Sequence, residues 1–273
     1  MNRLTDNFKQ LNARGEQALI CFVTAGDPDV DKTVELAAAM YDAGVDALEL
    51  GIPFSDPLAD GPSIQASSQR ALDSGMTAHK AMECARRIHA RVPHLPLVLM
   101  TYYNPVLRYG MDRFAHDAAT SGVDGVIITD LTPEEASAWQ QNAAANNLAT
   151  IYLLAPTSTD ERVASVCKSC SGFVYCVSRT GVTGARQDVP QDLRDTLSRI
   201  RKHTNLPLAV GFGVSSPEHV AAISAFADGV VVGSSLVDLI HNNRDNPSLL
   251  KIAAEYCASL KGATRSSKVG SNV

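Results

Sequence analysis

Short apolar runs alternate with longer stretches of helical periodicity along the whole chain. Eight runs rich in apolar and β-branched residues predict strands, at Leu19–Ala25, Ala47–Gly51, Leu97–Tyr102, Gly125–Asp130, Thr150–Leu154, Phe173–Val177, Leu208–Gly211 and Gly229–Gly233. Most are apolar on both faces, which is typical of parallel strands covered by helices. Helical patterns fill the intervals, as at Thr33–Asp42, Ala78–Arg91, Glu134–Asn146 and Gln191–His203.

Eight strand–helix repeats within 273 residues favour an α/β fold of the (β/α)8 type, a TIM barrel, over an open doubly wound sheet. Leu4, Phe8 and Leu11 recur at helical spacing before the first strand and predict an extra N-terminal helix. No Pro/Gly/Ser-rich linker divides the chain. We therefore expect a single TIM-barrel domain over residues 1–273, with a disordered polar tail at 262–273.

A short sequence echo accompanies three of the predicted repeats. The segments Ala43–Ala47, Ser121–Gly125 and Phe226–Gly229 each join the end of a helix to the start of a strand. Glycine takes the left-handed conformation that closes a helix, and in each segment an aspartate stands just before the strand. The echo supports repeated units within one fold.

Charge and cysteine usage narrow the range of partners. The formal net charge is −5 and the pI is near 5.8, with no cluster of Lys or Arg, so nucleic acid and anionic membranes are poor partners. No apolar run reaches the length of a membrane span, and the N-terminus lacks the pattern of a signal peptide.

The six cysteines are expected to be reduced thiols of a cytoplasmic protein. Cys167 and Cys170 have the spacing of half a zinc site, but no second half is present.

Two carboxylates belong to the second predicted strand and the loop that follows it. Glu49 lies within an otherwise apolar strand, and Asp60 lies in the Pro- and Asp-rich loop before a helix predicted to start near Pro62. Two carboxylates at one strand end can divide acid–base work if their surroundings push their pKa values apart. We expect the more buried Glu49 to have the raised pKa. The alternative is a structural Glu49 bonded to backbone or to an arginine.

Glycines after the last two strands predict an anion site. Gly211-Phe212-Gly213 ends one strand before a helix start at Ser216-Pro217, and Gly233-Ser234-Ser235 ends the next. Barrels commonly bind phosphate at these two loops, through backbone N–H groups at helix N-termini. Simple tight turns are the alternative. The Gly-, Ser- and Thr-rich segment Ser178–Arg186 is typical of a mobile loop that closes over substrate.

The sequence lacks the residues of several other mechanisms. No predicted strand carries a lysine for a Schiff base, and the seven histidines lack metal-ligand spacing, so no metal site is predicted. No P-loop or Rossmann glycine pattern is present. What remains is a phosphorylated substrate and two carboxylates without a cofactor.

Five segments together resemble the tryptophan synthase α chain family. They occur in the family's order and span nearly the whole chain: Phe22–Pro28, Glu49–Pro62, Tyr102–Pro105, Ser178–Gly184 and Gly211–Gly213. The resemblance implies a lyase of the last steps of L-tryptophan biosynthesis. Its reaction is the retro-aldol cleavage of indole-3-glycerol phosphate to indole and D-glyceraldehyde 3-phosphate, with the indole ring as electron sink.

The same resemblance implies roles for individual residues. Glu49 would be the general acid–base, and Asp60 would stabilise positive charge at the indole nitrogen. Substrate would contact Phe22, Ile64, Met100, Ile127, Tyr175 and Thr183, and its phosphate would bind at Gly184, Gly213, Gly233, Ser234 and Ser235.

The resemblance also implies a partner, the β chain, in an αββα (α2β2) heterotetramer. The pyridoxal phosphate of that assembly belongs to β, so no cofactor is expected here. The contact would use Pro53, Phe54, Asp56, Pro57, Asn104 and Pro105, with an exposed Phe54 as anchor. Thr132 stands where the family often has proline, on the partner side. A stand-alone lyase without β, and a non-catalytic phosphate-binding barrel that activates β, remain alternatives.

Overall fold

The computed structural model describes residues 2–178, 191–211 and 213–265, apart from the side chains of residues 191 and 192. Within these residues nine strand segments form one parallel sheet in the order β5-β4-β3-β2-β1-β9-β8-β7-β6. The strands are β1 Ala18–Thr24, β2 Ala47–Gly51, β3 Leu97–Thr101, β4 Gly125–Ile128, β5 Ala149–Ile151, β6 Leu153–Leu154, β7 Val174–Val177, β8 Leu208–Gly211 and β9 Gly229–Val232.

The sheet closes through one interrupted strand. β5 and β6 lie in the stretch 149–154, where Thr150–Leu154 was predicted as one strand, and they are separated at Tyr152. β5 pairs with β4 and β6 pairs with β7, so the two edges of the sheet meet in this stretch. The predicted TIM barrel is therefore confirmed.

Twelve helices are present in the described part of the chain. They are α1 Arg3–Ala13, α2 Val30–Asp42, α3 Pro62–Asp73, α4 Ala78–Arg91, α5 Tyr103–Tyr109, α6 Met111–Thr120, α7 Ser137–Ala145, α8 Asp160–Ser169, α9 Gln191–Arg201, α10 Pro217–Ser224, α11 Ser234–Asn242 and α12 Leu249–Ala263. The predicted helix from Glu134 begins later, at Ser137, because a turn bonds Glu135 N–H to the Thr132 carbonyl. α12 includes Gly262, the first residue of the expected tail, while residues 266–273 lie outside the described residues.

The predicted N-terminal helix closes the bottom of the barrel. Leu4, Phe8 and Leu11 of α1 are buried and join the cluster of side chains that fills the barrel interior. The Phe8 ring lies 5.7 Å from the ring of Phe173, which precedes β7. Substrate must therefore enter at the opposite end, where the strands have their carboxyl termini.

The three aspartates of the sequence echo perform the same structural task. Asp46, Asp124 and Asp228 each precede a strand and accept a hydrogen bond from the backbone N–H of the first or second residue of the neighbouring strand. Those N–H donors belong to Leu19, Leu97 and Leu208. Each aspartate also pairs with a cation from elsewhere in the chain: Lys261, Arg3 and Arg201, respectively. The repeat thus fixes strand register at the bottom of the barrel.

The described residues hold six free, buried cysteines. Among these residues no group of three or more His, Cys, Asp or Glu is arranged to hold a metal ion. None of the described helices combines the length and the apolarity that a membrane span requires.

Candidate active site

Glu49 is a buried carboxyl, and one of its oxygens has no hydrogen-bond partner in the part of the chain that the structure describes. It stands in register with Phe22 of β1 and Val98 of β3, in a strand whose alternate residues Leu48 and Leu50 pack in the outer core. Glu49 is 1% exposed, and its Oε1 has no partner among the described residues. Burial raises the pKa of Glu49 to about 8, because a charged carboxylate loses its hydration there. A neutral acid therefore stands inside the barrel near neutral pH.

Asp60 is the second carboxyl, in the loop between β2 and α3. Two hydrogen bonds hold the loop: Asp60 N–H donates to the Pro57 carbonyl at 3.0 Å, and the side chain of Gln65 on α3 donates through Nε2 to the Asp60 carbonyl at 2.8 Å. Partial burial raises the pKa of Asp60 to about 6, and a hydrogen bond from Tyr102 opposes this rise. Around pH 7 Asp60 is ionised while Glu49 keeps its proton, which is the expected order of the two pKa values.

Tyr102 is a site residue to which the sequence analysis gave no role. It directly follows β3, and its hydroxyl accepts a hydrogen bond from Ala59 N–H at 3.0 Å. Burial raises the pKa of Tyr102 to about 12, so the phenol stays protonated and donates to Asp60. The signal was present in the motif Tyr102–Pro105, but nothing in a linear sequence pairs Tyr102 with the Asp60 loop.

The predicted apolar residues line the upper barrel. Met100 of β3 and Ile127 of β4 are in register with one another. Gly51 of β2 leaves room for the Phe22 ring, since a Cβ at Gly51 would lie 2.5 Å from Phe22 Cζ. The Tyr175 ring similarly covers Gly211 of β8. Tyr175 lies close enough to Glu49 and Asp60 for their charges to add to burial in raising its pKa.

The predicted phosphate residues border this apolar wall. A Cβ at Gly233 would lie 3.7 Å from both Phe22 Cβ and Ile64 Cδ1, so the two halves of the predicted site meet there. α11 begins at Ser234, and no side chain of the described residues caps its N-terminus. Gly213 is exposed in the turn after β8 with a φ of +76°, a conformation that favours glycine.

Two predicted contacts, Thr183 and Gly184, lie outside the described residues, as does most of the predicted mobile loop. The hydroxyl of Ser235 is already used within the protein, since it donates to the Val214 carbonyl at 3.0 Å.

Comparison with known proteins decides the family. The family model described as tryptophan synthase alpha chain matches residues 8–265. The chain belongs to the tryptophan synthase alpha chain family. The alpha chain of Desulfatibacillum aliphaticivorans is 47% identical over 265 residues, which cover 97% of this chain and all of that one. The alpha chain of Thermoanaerobacter sp. is 43% identical, with 96% and 99% covered.

Solved structures agree. The tryptophan synthase subunit alpha of Legionella pneumophila is similar with a TM-score of 0.89 at 35% identity, over 97% of this chain and 98% of that chain. A chain of Mycobacterium tuberculosis tryptophan synthase gives 0.89 at 36% identity, over 97% and 99%. This tryptophan synthase alpha chain family member is thus a carbon–carbon lyase that cleaves indole-3-glycerol phosphate in tryptophan biosynthesis, as predicted. Membership also implies a β-chain partner.

Only some of the residues predicted to contact the β chain are exposed in the structure. Pro53 is buried and offers no surface, and Phe54 is only half-exposed because its ring packs on Tyr102 at 5.3 Å. Asp56 and Asn104 are exposed, and Pro57 and Pro105 are half-buried. The large exposed apolar side chains here are Leu58, 93% exposed, and Leu107, 50% exposed; neither was predicted.

Proposed function

We propose that Glu49 and Asp60 divide the proton and charge transfers of indole-3-glycerol phosphate cleavage in this chain. The observation that carries the proposal is the buried Glu49 carboxyl, which has a pKa of about 8 and one oxygen that no described residue bonds. Burying such a group costs free energy, and active sites are where proteins keep such groups. Asp60, ionised at the same pH, supplies the complementary negative charge.

The proposed reaction begins with proton transfer from Glu49 to C3 of the indole ring. The positive charge that develops at the ring nitrogen is stabilised by the carboxylate of Asp60, which the Tyr102 hydroxyl orients. The Glu49 carboxylate then removes the proton of the glycerol hydroxyl next to C3. A carbonyl forms, the carbon–carbon bond breaks, and its electron pair returns to the ring as indole leaves.

Binding is proposed to use both halves of the site. Phe22, Ile64, Met100, Ile127 and Tyr175 would enclose the indole ring, and Thr183 would close the site from its loop. The phosphate would take backbone N–H groups at Gly184, Gly213, Gly233, Ser234 and Ser235 and the exposed hydroxyl of Ser234, because unpaired N–H groups at helix starts favour anions.

The rest of the assignment follows the family. We propose that the chain needs no cofactor of its own and assembles with β as α2β2. Asp56, Leu58, Asn104 and Leu107 would supply exposed contact surface. The buried free thiols support action in the reducing cytoplasm.

The test compares Glu49→Gln with the parent chain, alone and with added β chain. The rate of indole-3-glycerol phosphate cleavage should fall roughly a thousandfold in Glu49→Gln. Light scattering should show that this variant still binds the β chain. Glu83→Gln, which changes an exposed glutamate paired with Arg86, is the control and should keep parental activity. Unchanged turnover in Glu49→Gln would refute the mechanism. Parental activity that does not respond to β would identify a stand-alone lyase, and activity absent in every sample would refute the assignment of the carboxylates.

A further inference from the structure

The hydroxyl of Tyr256 joins α12 to the two segments proposed to bind phosphate. It lies 2.9 Å from Ser235 Oγ, at the start of α11, and 3.0 Å from the carbonyl oxygen of Ser215, in the turn between β8 and α10. Ser235 Oγ in turn donates to the Val214 carbonyl in that same turn. Tyr256 shares its one proton between the Ser215 carbonyl and Ser235 Oγ, and Ser235 supplies the second proton of the network, so these contacts tie the turn, the helix start and α12 together.

This network leaves the Ser235 hydroxyl no proton for a phosphate. Its single proton goes to the Val214 carbonyl, and its oxygen accepts the Tyr256 proton that the Ser215 carbonyl also shares. The neighbouring Ser234 is exposed and free of this network. The Ser235 side chain therefore sets the distance between the two segments.

That distance decides how well the segments act together. The turn at Gly213 and the start of α11 follow different strands, β8 and β9. Their N–H groups converge on one anion only if the two segments keep a fixed separation, because hydrogen bonds weaken steeply with distance and angle. Tyr256 is itself well anchored, since Cys257 beside it is fully buried against Cys21 of β1.

We propose that Tyr256 is a positioning residue for the substrate phosphate, acting through Ser235 to hold the Gly213 turn against the start of α11. The inference rests on the proposed phosphate site and deepens it. Neither Glu49 nor Asp60 takes part in the network. Loss of the Tyr256 hydroxyl should therefore weaken phosphate binding and leave the bond-breaking step intact.

The experiment uses Tyr256→Phe, which removes only the hydroxyl. By calorimetry, the Kd for glycerol 3-phosphate should rise about fivefold, and the KM for indole-3-glycerol phosphate should rise by a similar factor. The kcat and the Kd for indole should stay within twofold of the parent. Tyr152→Phe is the matched control, because that hydroxyl bonds Gln140 on α7, away from the phosphate site, and its loss should change none of these constants.

Ser235→Ala tests the same bridge from its other end and guards against a folding defect in Tyr256→Phe. It should give the same loss, and the double variant should lose no more than either single variant. Parental affinity for glycerol 3-phosphate in either single variant, or fully additive losses, would overturn the proposal. A parent chain that fails to bind glycerol 3-phosphate would overturn the phosphate site as well, whereas active Glu49→Gln would refute only the assigned acid–base residue.

Discussion

At the scale of single residues, the two carboxyls differ in burial and in their hydrogen bonds within the described part of the chain. Glu49 is enclosed and its Oε1 has no bond among the described residues, whereas Asp60 is less buried and receives the Tyr102 hydroxyl. The burial that keeps Glu49 protonated near neutral pH also costs stability. Above the ordinary pKa of a glutamate the unfolded chain is ionised at this residue, so folding must bind a proton. The titration of Glu49 therefore changes both the activity and the stability.

The activity profile should report both carboxyls. With Asp60 ionised above about pH 6 and Glu49 protonated below about pH 8, kcat/KM should peak between these values. In Tyr102→Phe the hydrogen bond that lowers the pKa of Asp60 is lost, so the acid limb should move to higher pH. Tyr109→Phe, whose phenol bonds Asp117 at 2.7 Å, is the control. An acid limb that stays in place in Tyr102→Phe would contradict this account.

Stability should respond to Glu49 in the opposite sense from a salt-bridged acid. Its folded pKa of about 8 lies above the ordinary 4.5, so the fold loses stability as pH rises from 4.5 to 8 and carries the full penalty above 8. Glu49→Gln removes the titration. In urea unfolding, the free energy of unfolding of Glu49→Gln relative to that of the parent should increase by on the order of 3 kcal/mol between pH 5 and pH 8.5. Parallel stability curves for the two proteins would argue against a buried neutral carboxyl.

At the scale of elements, the sequence was informative wherever the signal is local. Strand positions, the α3 start at Pro62 and the α10 cap at Ser216 follow from runs and capping residues that adjoin in the chain. The break at Tyr152 and the short α5 were not predicted, because barrel closure and packing decide them. The sequence echo indicated the aspartates Asp46 and Asp124 but not their cations, since Lys261 and Arg3 lie 215 and 121 residues away.

The aspartate repeat should carry measurable stability. Asp124 accepts from Leu97 N–H at 2.9 Å and from two nitrogens of Arg3, so it joins β3, β4 and α1. Asp124→Asn removes the charge and should lower the free energy of unfolding by about 1–3 kcal/mol, since both partners are largely buried. Glu83→Gln, which breaks an exposed pair, should cost about 0.5 kcal/mol or less. Equal costs in urea unfolding would show that the repeat is incidental.

At the scale of the whole molecule, the barrel separates stability from chemistry along its axis. α1 and the aspartate repeat occupy the end where the strands begin, and both carboxyls and the proposed phosphate segments occupy the other. The candidate site could be predicted for residues in or directly after strands, such as Glu49 within β2 and Gly233 after β9. Tyr102 and the bridge from Tyr256 could not, because they act across elements that only the closed barrel brings together.

This separation predicts that damage at the bottom of the barrel spares catalysis. Phe8 is 5% exposed and packs on Phe173, so Phe8→Ala should lower the free energy of unfolding by about 3 kcal/mol through the cavity it leaves. At 25 °C its kcat and KM should stay within twofold of the parent, because no catalytic or substrate-binding group moves. Met100→Ala, a truncation at the upper end of the same interior, should instead raise the KM for indole-3-glycerol phosphate severalfold. A folded Phe8→Ala variant with a similarly raised KM would show that the two ends of the barrel are coupled. It would mean that α1, at one end, helps to shape the site at the other.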